Sequence, residues 1–370
     1  MSKNVRVIPG TEIVERSIQI ARIESTNDES RAWGAANDVY LQEIPVKEDW
    51  NFLIASSSLV CTAKYADGTV TATTGSTTAS FSGATLTAAM DGRRIKFNDN
   101  ANIYALTFVN SSTGTITPAL SGDRNISAGA YVIYKSLYQL AEHFDRFPKD
   151  GGLQYWASNN KPTPIPEQAL QTYYSEVSTT PGIPTTCRLV GEDTAGMMQV
   201  ELVPAPDKAY VLPYDFVRAL NPLRETTGGT ASVAAGGTTV TLHTGSRIAD
   251  ASTGWYVRFD AAGVGSDSEW YRVIALNQTT SAATIQNAYA GAAVNSGAYT
   301  LCAAPQYPPM LHYAIIAGAV KRLLSDQKDQ TFIYVDSQEA AILNDAKYLF
   351  KSRVYGVQPE LAMEDYNFRR

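Results

Sequence analysis

Cysteine, histidine and catalytic motifs are all scarce in this sequence, and each shortage narrows its function. There are three cysteines in 370 residues, Cys61, Cys187 and Cys302, and no CxxC pair. That argues against a structural zinc site, and a sparse odd count suits a reducing compartment better than a disulfide scaffold. All three read as small apolar residues. The three histidines, His143, His243 and His312, have no companion at metal-ligand spacing. His312 reads as a packed or capping residue of a helical segment. Asp145 and Asp150 near His143 form a juxtaposition that chance readily supplies. GxSxG, HExxH, P-loop and helix-opening GxGxxG motifs are missing. Asn98-Asp99-Asn100 is short of ligands for a calcium loop and reads as a surface turn. No apolar run reaches the roughly 18 residues of a membrane span. Residues 1–10 lack the apolar region of a signal peptide. Cytoplasmic synthesis follows as an expectation.

What is present describes a globular protein with few charges: 44% hydrophobic and 18% charged residues. The length allows two to four domains and a sizeable core. A net charge of −6 argues against a protein that coats nucleic acid, though not against DNA passing by. Tyrosine is abundant, at 21 against 11 Phe and 5 Trp. Half-buried strand faces account for many of these, and interfaces use the rest.

The chain also repeats itself. Gly68-Thr69 and Gly229-Thr230 each open a Thr/Gly/Ala-rich stretch. Gly75-Ser76-Thr77-Thr78 matches Gly236-Gly237-Thr238-Thr239. Gly92 to Phe97 matches Gly254 to Phe259, and Gly129-Ala130-Tyr131 matches Gly297-Ala298-Tyr299. The offset grows from 161 residues (Gly75 to Gly236) to 162 (Gly92 to Gly254) and 168 (Gly129 to Gly297). A duplication with loop residues added to the second copy produces that drift.

Around the repeats the pattern is partly helical. Thr11 is the expected N-cap of a first helix, with Glu12 and Glu15 near its first turn. Trp33, Ala36, Tyr40, Leu41 and Ile44 line a second helix that should end at Pro45. Within the first repeat, Ile95–Phe97, Ile103–Val109, Thr115–Thr117 and Tyr131–Tyr134 read as strands, and Asp67-Gly68 and Asp91-Gly92 as turns. Phe144 to Pro148 reads as an exposed turn with aromatic anchors. Lys161 to Pro166 should be extended. A Gly182-Ile183-Pro184 turn precedes strands at Thr186–Val190 and Val200–Val203, closed by Pro204-Ala205-Pro206-Asp207. Leu311 to Leu324 carry a strong apolar helical face. A last helix capped by Asp336 or Ser337 should end at Gly356.

With the repeats set aside, this order of motifs resembles the head-to-tail adaptor proteins of tailed bacteriophages, also called connectors or tail-tube gatekeepers. In that family a helix pair ends at a tryptophan, here Trp50. A G-x-P turn, here Gly182 to Pro184, precedes a hairpin closing on P-x-P-D, here Pro204 to Asp207, and C-terminal helices follow. The resemblance covers roughly residues 11–55, 136–227 and 303–356. It implies an α+β fold class: a helical-bundle adaptor core with a β-hairpin region and two inserted, duplicated small β-sandwich or barrel modules. The expected divisions are 1–60 (N-terminal helical part), 61–135 (first module), 136–227 (β-rich middle), 228–302 (second module), 303–356 (C-terminal helices) and 357–370 (C-terminal arm). The family's function would be a homo-oligomeric ring in the virion, commonly a dodecamer, between portal protein and tail or nozzle proteins. DNA would pass through its channel, with no cofactor, metal or catalysis. Leu361, Met363, Tyr366, Phe368, Arg369 and Arg370 are candidate contacts of the arm, most naturally toward the portal. Tyr256 and Trp270 are candidate surface or interface residues of the second module. Two other functions compete: a tail-fibre or receptor-binding protein, and a glycan-active enzyme with β accessory modules, which needs a carboxylate pair that the sequence does not single out.

Overall fold

Antiparallel strands account for more of the chain than helices do, in a computed structural model that describes residues 7–22, 26–122, 124–149, 151–156, 162–168, 180–243, 254–259, 269–277, 279–324 and 330–350. The expected helical-bundle core is therefore corrected: the helices are one element among several antiparallel sheets, including a half-barrel. The chain divides into two compact units, Met1–Phe52 with Leu220–Arg370, and Leu53–Ala219. Each unit holds one copy of the repeat.

In the first unit the helices are α1 (Gly10–Ala21), α2 (Thr26–Asp38), α3 (Ile44–Lys47), α4 (Pro309–Leu323) and α5 (Gln330–Phe350). Helix α4 packs on α1, α2 and α5 and is buried almost all round. Gly318 lets it approach the segment after α2. A Cβ there would lie 2.9 Å from both methyls of Val39. Three local expectations change. Pro9, not Thr11, is the N-cap of α1, and the Thr11 hydroxyl donates to Glu225 Oε2 at 2.8 Å. The second helix does not stop at Pro45. It widens into a π-helical turn over Val39–Glu43, and Pro45 opens α3, where its missing N–H has no helical partner to lose. Helix α5 begins at Gln330, ahead of Asp336, whose carboxylate instead pairs with Lys321 Nζ at 2.7 Å. Gly356 lies outside the described residues.

Trp50 is fully buried, and its indole N–H donates to the Ile44 carbonyl at 2.8 Å. It stacks on Phe52, which meets Tyr307 edge-on, and Tyr307 meets Tyr40. This aromatic chain ties the end of α3 to the start of α4.

Among its described residues the second unit runs through fifteen strands. They are β1 (Ile54–Val60), β2 (Thr69–Ala72), β3 (Thr78–Ser82), β4 (Arg94–Phe97), β5 (Ile103–Asn110), β6 (Thr113–Thr117), β7 (Ile126–Gly129), β8 (Tyr131–Tyr134), β9 (Leu137–Gln139), β10 (Phe144–Arg146), β11 (Gln154–Trp156), β12 (Pro162–Pro164), β13 (Thr186–Glu192), β14 (Met198–Val203) and β15 (Val211–Arg218). Strands β2 to β8 form a seven-stranded sheet in the order β7-β2-β3-β6-β5-β4-β8. The others make the sheets β1-β15-β10, β13-β14-β9 and β11-β12. Phe144 is not an exposed anchor. It is buried against Phe147, Tyr214 and Phe216 in the core between those sheets.

The first unit continues with β16 (Glu225–Thr226), β17 (Ala231–Val233), β18 (Thr239–Leu242), β19 (Tyr256–Phe259), β20 (Tyr271–Asn277), β21 (Ala282–Ile285), β22 (Val294–Gly297) and β23 (Tyr299–Cys302). Their sheet order, β16-β23-β19-β20-β21-β18-β17-β22, reads backwards as the order of the first copy with β16 added. The registers agree as well. Ile95 faces Ile133 and Phe97 faces Tyr131, as Val257 faces Leu301 and Phe259 faces Tyr299. Both copies carry a bulge, where β2 meets β7 at Val70/Ala72 and where β17 meets β22 at Ala231/Val233. The tyrosine that begins the last strand spends its hydroxyl the same way: Tyr131 donates to the Asp67 carbonyl and Tyr299 to the Gly228 carbonyl. The buried positions also correspond, for example Ile95, Phe97, Tyr104 and Ile116 with Val257, Phe259, Tyr271 and Ile285.

His312 on α4 is wholly buried. Its Nδ1 accepts from the Ile8 amide at 3.0 Å, so the proton sits on Nε2, which donates to the Tyr307 carbonyl at 3.1 Å. Burial pushes its pKa down from 6.5 to about 4. The unfolded chain thus takes up this proton at a higher pH than the folded one. The stabilisation is complete above pH 6.5 and is lost as pH falls toward 4, by roughly 1.4 kcal/mol per pH unit. Denaturant titrations between pH 7 and 4.5 should show that decline, and His312→Gln, which cannot be protonated, should flatten it.

Candidate interaction clefts

The described residues contain no group of three or more metal-ligating side chains. His143 is exposed and lies 3.7 Å from Glu142, Asp145 pairs with Arg146, and Asp150 is outside the described residues. The three cysteines are free and buried, and burial pushes their thiols up to about 12. They are inert, packed thiols.

One nucleophile–base pair is present that the sequence did not single out. Ser232 Oγ lies 2.6 Å from His243 Nε2. The second copy's bulge explains it. Ser232 Oγ also accepts the Ser296 amide at 2.9 Å, and in the first copy Thr71 Oγ1 accepts the Ala128 amide in the same place. Ala128 and Ser296 share a left-handed φ, 49° and 52°. The hydroxyl holds a strained bulge, and among the described residues no carboxylate bonds to His243 to complete a triad.

Two concavities lie at corresponding corners of the two modules. There the strand opening at Gly92 or Gly254 runs beside the chain that leaves the last strand. Gly92 and Gly254 have φ of 71° and 94°, which a β-carbon would strain. In the second unit the cleft measures about 330 Å³ and is lined by Arg93, Arg94 and Lys135. These cations are already engaged. Arg94 pairs with Glu201 Oε1 at 2.8 Å, Arg93 Nε donates to the Ala89 carbonyl at 3.0 Å, and Lys135 Nζ sits 5.0 Å from the Tyr138 ring centroid. Glu201 is buried and also takes Arg188 at 3.0 Å.

In the first unit the matching cleft is larger, about 510 Å³. Trp255, Tyr256 and Tyr307 give it aromatic walls, Arg224 and Arg272 line it as cations, and among the described residues no carboxylate lines it. Neither arginine makes an ion pair among the described residues. Burial raises the Tyr256 phenol above its ordinary range, against the opposing pull of Arg272. The cleft is pre-formed, cationic and aromatic, with a volume suited to a few side chains of a ligand.

Of the residues singled out from sequence, Tyr256 lines this cleft and is half-buried. Trp270 is engaged within the chain: the Arg258 guanidinium lies 4.7 Å from its ring centroid and reaches Glu15 of α1 at 3.1 Å. Leu361, Met363, Tyr366, Phe368, Arg369 and Arg370 lie outside the described residues. Arg224 and Arg272 escaped notice because they sit in different segments, and no local pattern marks them.

Replacing Glu201 with Gln keeps its shape but leaves two arginines facing a neutral amide. We expect a loss of about 3 kcal/mol in denaturant unfolding, the scale for breaking a buried ion pair. A change within 0.5 kcal/mol would show the three charges to be fully solvated. In comparisons with known proteins, no family model and no curated protein matches the chain.

Proposed function

We propose that this chain is a virion structural protein, a subunit of a head-to-tail adaptor ring between portal and tail that surrounds a channel for DNA. The observation that carries the reading is the joining of its two motif pieces. The Gly182 amide donates to the Ala205 carbonyl at 2.8 Å, and the Asp207 amide donates back to the Gly182 carbonyl at 3.2 Å. The G-x-P turn and the P-A-P-D closure are thus one hydrogen-bonded frame, which suits the adaptor resemblance, where the two motifs flank one hairpin. The helices near both ends of the described chain pack together around α4, although the helical-bundle core that the resemblance implied is absent from the described residues.

Assembly has a second support. Ile333, Tyr334, Tyr348 and Leu349 on α5 are 60%, 62%, 86% and 65% exposed. Tyr334, Ala341, Asp345 and Tyr348 recur at i, i+7, i+11 and i+14, so one outward face of the helix is partly apolar. A ring joins two different faces of each subunit, and such a face suits one of them. The subunit acts by shape and contact rather than by catalysis. No helix among the described residues is long and apolar enough to cross a membrane.

The preponderance of strands favours a second reading, a tail-fibre or other tail structural protein. Negative-stain imaging and sedimentation of the purified chain separate the two. The adaptor should give closed rings with a central hole, near twelve chain masses. Detergent-resistant elongated trimers would overturn the ring and support the fibre.

A further inference from the structure

The cleft in the first unit has no assigned occupant. Its two arginines project into a concavity with aromatic walls and no acid, on a chain whose net charge is −6. The equivalent cleft of the other module resolves the same situation internally, because Glu201 answers Arg94. Nothing among the described residues answers Arg224 and Arg272. The complementary ligand is therefore anionic and carries a flat or apolar group: carboxylates for the guanidinium forks, and a ring or branched chain for Trp255 and Tyr256.

The chain itself contains such a ligand. Residues 360–368 place Glu360, Glu364 and Asp365 among Leu361, Met363, Tyr366 and Phe368 with no cation between them; Arg369 and Arg370 follow this stretch. The last described residue is Phe350, so 20 residues follow it, and an extended chain of that length reaches up to about 70 Å. We propose that the acidic, aromatic stretch 360–368 of a second copy docks in the cleft of the first unit, leaving Arg369 and Arg370 outside it. Its carboxylates meet Arg224 and Arg272, and its aromatic side chains lie against Trp255 and Tyr256. The inference rests on the ring reading for the supply of a neighbouring copy. Residues 1–6, which lead to Val7 on the cleft wall, carry Lys3 and Arg6 and no acid, so their charge opposes that of the arginines.

Full-length protein carrying a photo-crosslinking benzophenone side chain in place of Gln306, an exposed residue of the cleft, tests this. Heavy-isotope and light protein are mixed, allowed to assemble, irradiated and mapped by mass spectrometry. We expect cross-links to residues 357–370 that join heavy to light chains. They should fall at least about tenfold in the Arg224→Glu, Arg272→Glu double variant, the loss that about 1.4 kcal/mol produces. Both arginines are exposed, so that variant should melt as the parent does, and the melt is measured alongside. Cross-links to residues 1–6, links only within one chain, no links, or tail links that survive charge reversal would each overturn the inference. Imaging the same sample keeps the two ideas apart. Rings without tail cross-links leave the ring standing and remove the docking. Heavy–light tail cross-links in a sample of open dimers or trimers do the reverse.

Discussion

Each module depends on a short antiparallel closure that ties its beginning to its last strand. In the first copy Tyr65 and Ile133 exchange both backbone hydrogen bonds, each 2.8 Å long. In the second, β16 pairs Thr226 with Leu301 and Glu225 with Cys302. The chain thus enters and leaves each sheet at neighbouring points, the condition under which a folded insert leaves its surroundings undisturbed. The closure also covers the edge of the last strand, which would otherwise be an open template for another chain. At the opposite edge, β7 and β22 are kinked by the bulge residues Ala128 and Ser296 in left-handed conformation. A sheet with one edge covered and the other bent is self-contained, and this lets one design occur in both units.

The closure explains why the repeat was legible in the sequence when much else was not. A half-barrel sets every position at once: glycine where φ must be positive, an apolar residue at every second strand position, and a tyrosine whose hydroxyl caps a carbonyl near the module's start. Two copies under the same constraints keep the same residue types. The helices lack such rigid demands. Thr11 carries the usual N-cap signal, but Glu225 gives its hydroxyl a better partner from a distant strand. Asp336 reads as a cap, but Lys321 claims it within a helix that starts earlier. The π turn before Pro45 cannot be inferred from apolar periodicity, because it changes that periodicity for only one turn. At Thr11 and Asp336 a long-range contact outweighed a local capping preference worth about 1 kcal/mol.

The helical-bundle core was an implication of the resemblance, not of the residues between the modules, where the strands expected at Thr186–Val190 and Val200–Val203 do form. The middle instead supplies its own core, with Phe144, Tyr214 and Phe216 stacked beneath short sheets. Proline does not prevent this. Pro213 lies inside β15 and Pro162 and Pro164 in β12, which pairs on one side only.

The two clefts show how far duplication determines function. Backbone geometry is inherited, so a hollow forms at the same corner in both copies. The charges are not inherited position by position. Arg93 and Arg94 correspond to Trp255 and Tyr256, and the cations of the second cleft come instead from the segment before the module and from β20. Where a buried carboxylate happened to lie behind the hollow, the arginine became structural, because an unanswered Glu201 in that core would cost several kcal/mol. Behind the other hollow lie Ala303, Ala304 and Pro305, which offer no charge. Its arginines are exposed to solvent and cost little there. The same fold feature is therefore fastened by an ion pair in one unit and lined by two exposed arginines in the other, and the difference lies in the residues behind the cleft.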